Sequence, residues 1–206
     1  METKKIALFG ATTNVGERIL NEALSRGHQV TIFVSDPHKI TTRHPNLTVV
    51  AGDVFSKTDI ASKLEGQDAV ISAYETRTNP QDHVYATRAL IEGVKEADVK
   101  QLIAFGHPGS KKLEPGMKMP GNQEGWKAVA QAQRNAIEAL RKERGFNWGY
   151  AHYQEIEGQL SKTGSPALGN KLTLLTNDNK ESFDAENYAK RLLDETEHQM
   201  EEHTER

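Results

Sequence analysis

IALFGATTNVGERIL, residues 6–20, carries an apolar run into a turn bounded by Gly10 and Gly16 and on into a segment with helical spacing. A strand that feeds a glycine-bearing turn and then a helix gathers the turn's backbone N–H groups and the positive end of the helix dipole at one point. Such a point attracts a phosphate or pyrophosphate. Gly10 permits the tight turn, and Gly16 lets the helix lie close on the sheet. Thr12, Thr13, Asn14 and Val15 lie between them and are the candidate phosphate contacts, through their amides and the Asn14 side chain.

Working outward, short apolar runs alternate with amphipathic segments. Lys5–Phe9, Gln29–Val34, Leu47–Ala51, Ala69–Ala73 and Gln101–Phe105 are nearly continuous apolar runs, the pattern of a parallel sheet buried on both faces. Between them, Val15, Ile19, Leu20, Ala23 and Leu24 form a helical stripe closed by Gly27. SDPHKITTRHPN holds room for one helical turn, and 57–64, 82–97 and 124–144 read as further helices. Repeated strand–helix–strand units imply right-handed crossovers and an α/β, doubly wound parallel sheet. A sixth strand is expected at 146–151 and another at 171–176. A last helix is expected with Asp184 as its N-cap, Phe183 stapled to Tyr188, and an apolar face of Tyr188, Ala189, Leu192 and Leu193. The charged run DETEHQMEEHTER after it is expected to fray. The expected organisation is one domain over 1–206, with 146–206 contributing a small substrate-side cap and the C-terminal helix.

Composition narrows the partners. The chain has 206 residues, 26 Lys and Arg against 29 Asp and Glu, and a formal charge of -3, which gives no basic footprint for nucleic acid or an anionic membrane. It has no cysteine, which excludes disulfides and thiolate chemistry. No apolar run approaches the ~20 residues of a membrane span, and the N-terminus has no signal-peptide core. The expected location is the cytoplasm and the expected state a monomer or homodimer. Its eight histidines are scattered without metal-site spacing, so no metal site is expected.

Two acids support a dinucleotide reading of the first turn. Asp36 lies 20 residues beyond Gly16 at the end of the second strand, where the dinucleotide fingerprint places a ribose ligand. Its alternative role is capping the short helix that follows. Asp53 and Val54, in AGDVF, end the third strand at the sheet's carboxyl edge, where an adenine would rest.

KKIALFGATTNVGERILNEALSRGHQVTIFVSDPHKI (4–40), VVAGDVFSKTDIASKLEGQDAVISAY (49–74) and DAENYAKRLLDETE (184–197) resemble the atypical short-chain dehydrogenase/reductases of the NmrA-like, NAD(P)H-binding group. Within that group the chain is most similar to small bacterial NADH-flavin reductase-like proteins. The resemblance implies a Rossmann fold, a bound NAD or NADP, and transfer of reducing equivalents to a flavin, quinone or similar small acceptor. It leaves two alternatives, a non-catalytic dinucleotide sensor or regulator and a nucleotide-sugar epimerase. Like such relatives, this chain lacks a Tyr-x-x-x-Lys pair.

Its departures are informative. Thr13 stands where the group's middle glycine lets the backbone approach the phosphates, so it is either a steric brake or a hydroxyl ligand. Ser35 and Asp36 stand where the group often carries arginine, which favours NAD over NADP by repelling a 2′-phosphate, with Lys39 and Arg43 as nearby opposing charges. The nicotinamide side is expected to hold Ser72, Ala73 and Tyr74, with Gly106, His107 and Ser110 opposite. Tyr74 and His107 are the candidate proton donors, and Tyr74 is alternatively a stacking ring. Lys127 falls where the resemblance also places a lysine, at a ribose or the substrate. His152, Tyr153 and Glu155 make more polar a segment that related chains keep apolar.

Overall fold

The computed structural model describes residues 3–74, 79–106, 123–160, 166–176, 180–184 and 188–204. In chain order the elements are β1 (Lys5–Phe9), α1 (Asn14–Ser25), β2 (Gln29–Val34), a one-turn 3-10 helix (Pro37–Lys39), β3 (Leu47–Ala51), α2 (Lys57–Leu64), β4 (Ala69–Ser72), α3 (Pro80–Glu96), β5 (Gln101–Phe105), α4 (Gln123–Arg141), β6 (Asn147–Leu160), β7 (Pro166–Thr176), β8 (Lys180–Asp184) and α5 (Tyr188–Thr204). They build one eight-stranded sheet in the order β3-β2-β1-β4-β5-β6-β7-β8. The first six strands run parallel, and β7 and β8 extend the sheet antiparallel.

Alternation along the apolar strands explains how both faces are covered. Successive side chains point to opposite faces. Ile6 and Leu8 of β1 therefore join Ile32, Ile71 and Ile103 on the face covered by α1 and α5. Ala7 and Phe9 join Phe33, Val70 and Leu102 on the face packed by Ile60, Leu90 and Leu140 from α2, α3 and α4. Register places Leu8 between Ile32 of β2 and Ile71 of β4, so the middle of the sheet is aliphatic on both sides of β1. The order reverses at β1, whose neighbours are β2 and β4. Open α/β sheets bind ligands in the crevice beyond the carboxyl ends of the strands at such a point.

The C-terminal part differs from expectation. β6 and β7 are longer than the runs at 146–151 and 171–176, and β8 follows as an additional strand. Asp184 ends β8, with its Cα paired to Lys171, and Phe183 pairs with Leu172; residues 185–187 lie outside the described residues, and the expected cap falls with them. KESFD holds a single apolar residue, so pairing with β7, rather than any local apolar signal, makes it a strand. The charged run continues as helix to Thr204.

Long-range contacts hold α5 on α1. At its start the Tyr188 hydroxyl donates to the Val15 carbonyl at 3.0 Å. Further along, the Arg26 guanidinium, 9% exposed, meets Glu22 at 2.9 Å, Asp194 at 2.9 Å and Glu197 at 3.0 Å. Glu197 also lies 2.8 Å from Nε2 of buried His28, whose Nδ1 accepts the Lys4 amide at 3.2 Å. Among the described residues no helix is long and apolar enough to cross a membrane.

Candidate functional site

The carboxyl ends of β1, β2 and β3 open into a crevice of about 1140 Å³. Its floor is the β1–α1 turn. Gly10 has φ +76, and a Cβ there would run into the Ala73 carbonyl group at the end of β4. A Cβ on Gly16 would run into the Gly10 carbonyl oxygen. Both glycines are therefore demanded by close backbone contact, Gly10 across to the segment after β4 and Gly16 within the turn. Val15 and Gly16 are buried in the α1 packing, so their side of the turn is structural. As first-turn amides, Asn14 and Val15 have no intrahelical acceptor. They are available to a phosphate oxygen.

Thr13 is the N-cap of α1, at φ -80 and ψ 159. Its hydroxyl points into the turn, accepting from the Gly16 amide at 3.0 Å and donating to the Gly10 carbonyl at 2.9 Å, with the Ala73 carbonyl 3.3 Å away. The hydroxyl hydrogen is thus committed to the protein's own backbone. A Ser or Thr directly before a helix is a capping signal. That signal was present in the sequence, yet neither the brake nor the ligand reading of Thr13 used it.

Asp36 lines the crevice wall beside Ser35 and Lys39. It also caps the 3-10 turn: its Oδ1 accepts the His38 amide at 3.1 Å, and its Oδ2 lies 3.7 Å from the Lys39 ammonium. The capping reading of Asp36 therefore holds, and its side chain also borders the crevice. Asp53 uses its Oδ1 to accept the Phe55 amide at 2.9 Å, and its own amide lies 3.3 Å from Asp59 Oδ2. Val54 is buried against the sheet and lines the same wall.

The aromatic end of the crevice comes from Tyr74 and Phe55, edge to face with centroids 5.6 Å apart. Phe55 is 44% exposed, a large apolar side chain kept open to the crevice, and sequence reading did not single it out. AGDVF carries it next to Val54, but only the fold brings it to Tyr74. Lys63 also lines the crevice; it forms an ion pair with Asp59, and its ammonium donates to the Ala51 carbonyl at 2.6 Å. Partial burial pushes the Asp59 carboxyl up, but the hydrogen bond from Lys63, the largest influence, holds it below the usual carboxylate range.

Of the expected site residues, the fold brings Gly10, Thr12, Thr13, Ser35, Asp36, Asp53, Val54 and Tyr74 to one crevice. Ser72 and Ala73 are buried at the end of β4, and their contribution there is through backbone: the Ala73 amide donates to the Phe9 carbonyl at 2.9 Å. Gly106 lies beyond β5, where a Cβ would collide with the ring and hydroxyl of Tyr150. Lys127 is exposed on α4 and outside the crevice lining. His107 and Ser110 lie outside the described residues. Among those residues no group of histidines and carboxylates could hold a metal ion.

The residues present fit a dinucleotide. The positive-φ Gly10, Thr12, Thr13 and the acid Asp36 at the end of β2 line one crevice, and the first-turn amides of α1 follow directly on Thr13.

Comparison with known proteins agrees with this geometry. The family described as NAD(P)H-binding matches residues 10–182. The Bacillus subtilis protein YwnB is 28% identical over 203 residues, spanning 94% of this chain and 92% of that protein. A Burkholderia pseudomallei protein, provisionally described as exported, has a solved structure 29% identical to this chain, with TM-score 0.65 and coverage of 95% and 94%. A Streptococcus pneumoniae protein provisionally assigned as an NADH-flavin reductase is 27% identical, with TM-score 0.54 and coverage of 70% and 69%.

Proposed function

This chain belongs to the NAD(P)H-binding family, and from that premise we propose that it is an NADH-preferring oxidoreductase that reduces a flavin, quinone or similar small acceptor. The observation that carries the cofactor half is the crevice itself, with its glycine turn and Asp36 on one wall. Similarity to the Streptococcus protein supports the acceptor half.

NADH supplies a hydride when bound. The chain's own residues bind and orient. The first-turn amides of Asn14 and Val15 would hold the pyrophosphate, Asp36 would hold the ribose hydroxyls, and Val54 and Phe55, which line the crevice, would give the base an apolar wall. Asp36 places negative charge where a 2′-phosphate would stand, which is the basis of the preference for NADH. Tyr74 serves as a wall ring in this reading, and protons reach the acceptor from solvent.

A second reading, a dinucleotide-binding regulator without turnover, draws on one observation. Lys127 is exposed on α4 and outside the crevice lining, so this candidate stands away from the site. NADH oxidation measured with a panel of flavins and quinones separates the two. Acceptor-dependent turnover supports the oxidoreductase. Tight NADH binding with no turnover on any acceptor supports the regulator.

A further inference from the structure

Three backbone groups from separate segments aim at one point in the phosphate turn: the Gly10 carbonyl at the end of β1, the Gly16 amide in the first turn of α1, and the Ala73 carbonyl following β4. The Thr13 oxygen occupies that point, at 2.9, 3.0 and 3.3 Å respectively. The Gly10 carbonyl also accepts the Thr13 amide at 3.0 Å, whereas the Gly16 amide must find a partner of its own, and where no side chain reaches such a group an ordered water does. Thr13 has an ordinary extended backbone, φ -80 and ψ 159, so nothing in the main chain at this position calls for glycine.

We propose that Thr13 is a positioning residue whose hydroxyl is a built-in strut, joining the β1–α1 and β4–α3 connections and holding the dinucleotide's phosphate turn in its binding shape. This rests on the dinucleotide reading above. The strut replaces a water that a glycine at this position would have to recruit. It differs from a phosphate ligand, because its one hydrogen is spent on carbonyl oxygens within the chain. It differs from a steric brake, because the side chain completes the turn rather than obstructing it. Through the Ala73 carbonyl it also links the turn to the segment that carries Tyr74.

Three substitutions separate these roles. Thr13→Ser keeps the oxygen. Thr13→Gly removes it and leaves room for a water. Thr13→Val keeps the bulk, removes the oxygen and leaves no room for one. ADP-ribose, which carries the adenosine and pyrophosphate without the nicotinamide, is titrated calorimetrically into each protein, with folding checked by circular dichroism and a thermal melt. The strut requires Thr13→Ser and Thr13→Gly to bind within about threefold of the unmodified chain and Thr13→Val to bind about tenfold or more weakly. Rescue by serine is the readout that loss of bulk alone would not give. Tighter binding by Thr13→Gly with Thr13→Val unchanged would mean a brake and would overturn the proposal. Weak binding by both Gly and Val variants would mean a direct phosphate ligand, and would overturn it equally. Failure of the unmodified protein to bind ADP-ribose would instead overturn the dinucleotide reading, and the strut with it.

Discussion

The Tyr150 hydroxyl lies 2.9 Å from Nε2 of His83, joining β6 to the first turns of α3 beneath the end of β5. Both side chains are buried, and burial drives the Tyr150 hydroxyl far above the usual tyrosine range, so it stays protonated. The pair explains Gly106. The Gly106 amide donates to the Ala151 carbonyl at 2.8 Å, and that close approach brings its α-carbon against the Tyr150 ring.

Gly106→Ala is therefore expected to destabilise the protein by about 1–3 kcal/mol, through overpacking against a side chain that has no free volume to enter. Chemical denaturation measures it. A change within experimental error would show that the β5–α4 connection yields freely and that Gly106 is there for another reason. Tyr150→Phe keeps the ring and removes the hydroxyl from His83, at a cost of about 1–3 kcal/mol.

Arg26→Ala is expected to loosen α5. The guanidinium is nearly buried, but two of its three carboxylate partners are about one-third exposed. Its loss should cost on the order of 2 kcal/mol, between the values for exposed and buried pairs. Partial burial pushes the Asp194 carboxyl up, but Lys190 and Arg26 together hold it below the usual range. A carboxyl lowered in the folded state adds stability above its unfolded pKa, and that stability is lost as pH falls through the folded value. The penalty of Arg26→Ala should accordingly be full at neutral pH and shrink below about pH 4. Melting temperatures across pH measure it, and an equal penalty at pH 3 and pH 7 would refute the ion-pair account.

Tyr74→Phe keeps the ring that faces Phe55 and removes the hydroxyl. Acceptor-dependent NADH oxidation should keep its kcat within about twofold, because the account gives Tyr74 no proton to deliver. A general acid removed from the reaction would cost about a hundredfold or more. A loss of that size, with NADH affinity unchanged, would make Tyr74 the donor.

The sheet was legible where local pattern and tertiary demand agree. Lys5–Phe9, Gln29–Val34 and Gln101–Phe105 are apolar enough to announce strands buried on both faces, and the glycines at 10 and 16 mark the turn between β1 and α1. The Asp36 cap was legible because it depends on residues within a few positions. What escaped depends on partners far along the chain. β8 is a strand through β7, Arg26 meets α5 more than 160 residues away, and His83 meets Tyr150 across 67. Spacing rules see neighbours at three, four or two residues, and none of these pairs leaves such a trace. Phe55 was missed for a related reason: beside Val54 it reads as one more strand-end apolar residue, and only Tyr74 opposite makes it a wall.

The central claim is that this crevice takes NADH with Asp36 at the ribose, and calorimetric titration of NADH and NADPH into the unmodified protein tests it most directly. NADH is expected to bind at one saturable site and roughly tenfold more tightly than NADPH, since the Asp36 carboxylate repels a 2′-phosphate. Asp36→Ala should narrow that gap, chiefly by tightening NADPH. Tighter NADPH binding by the unmodified protein, or no saturable binding of either dinucleotide at millimolar concentration, would contradict the account.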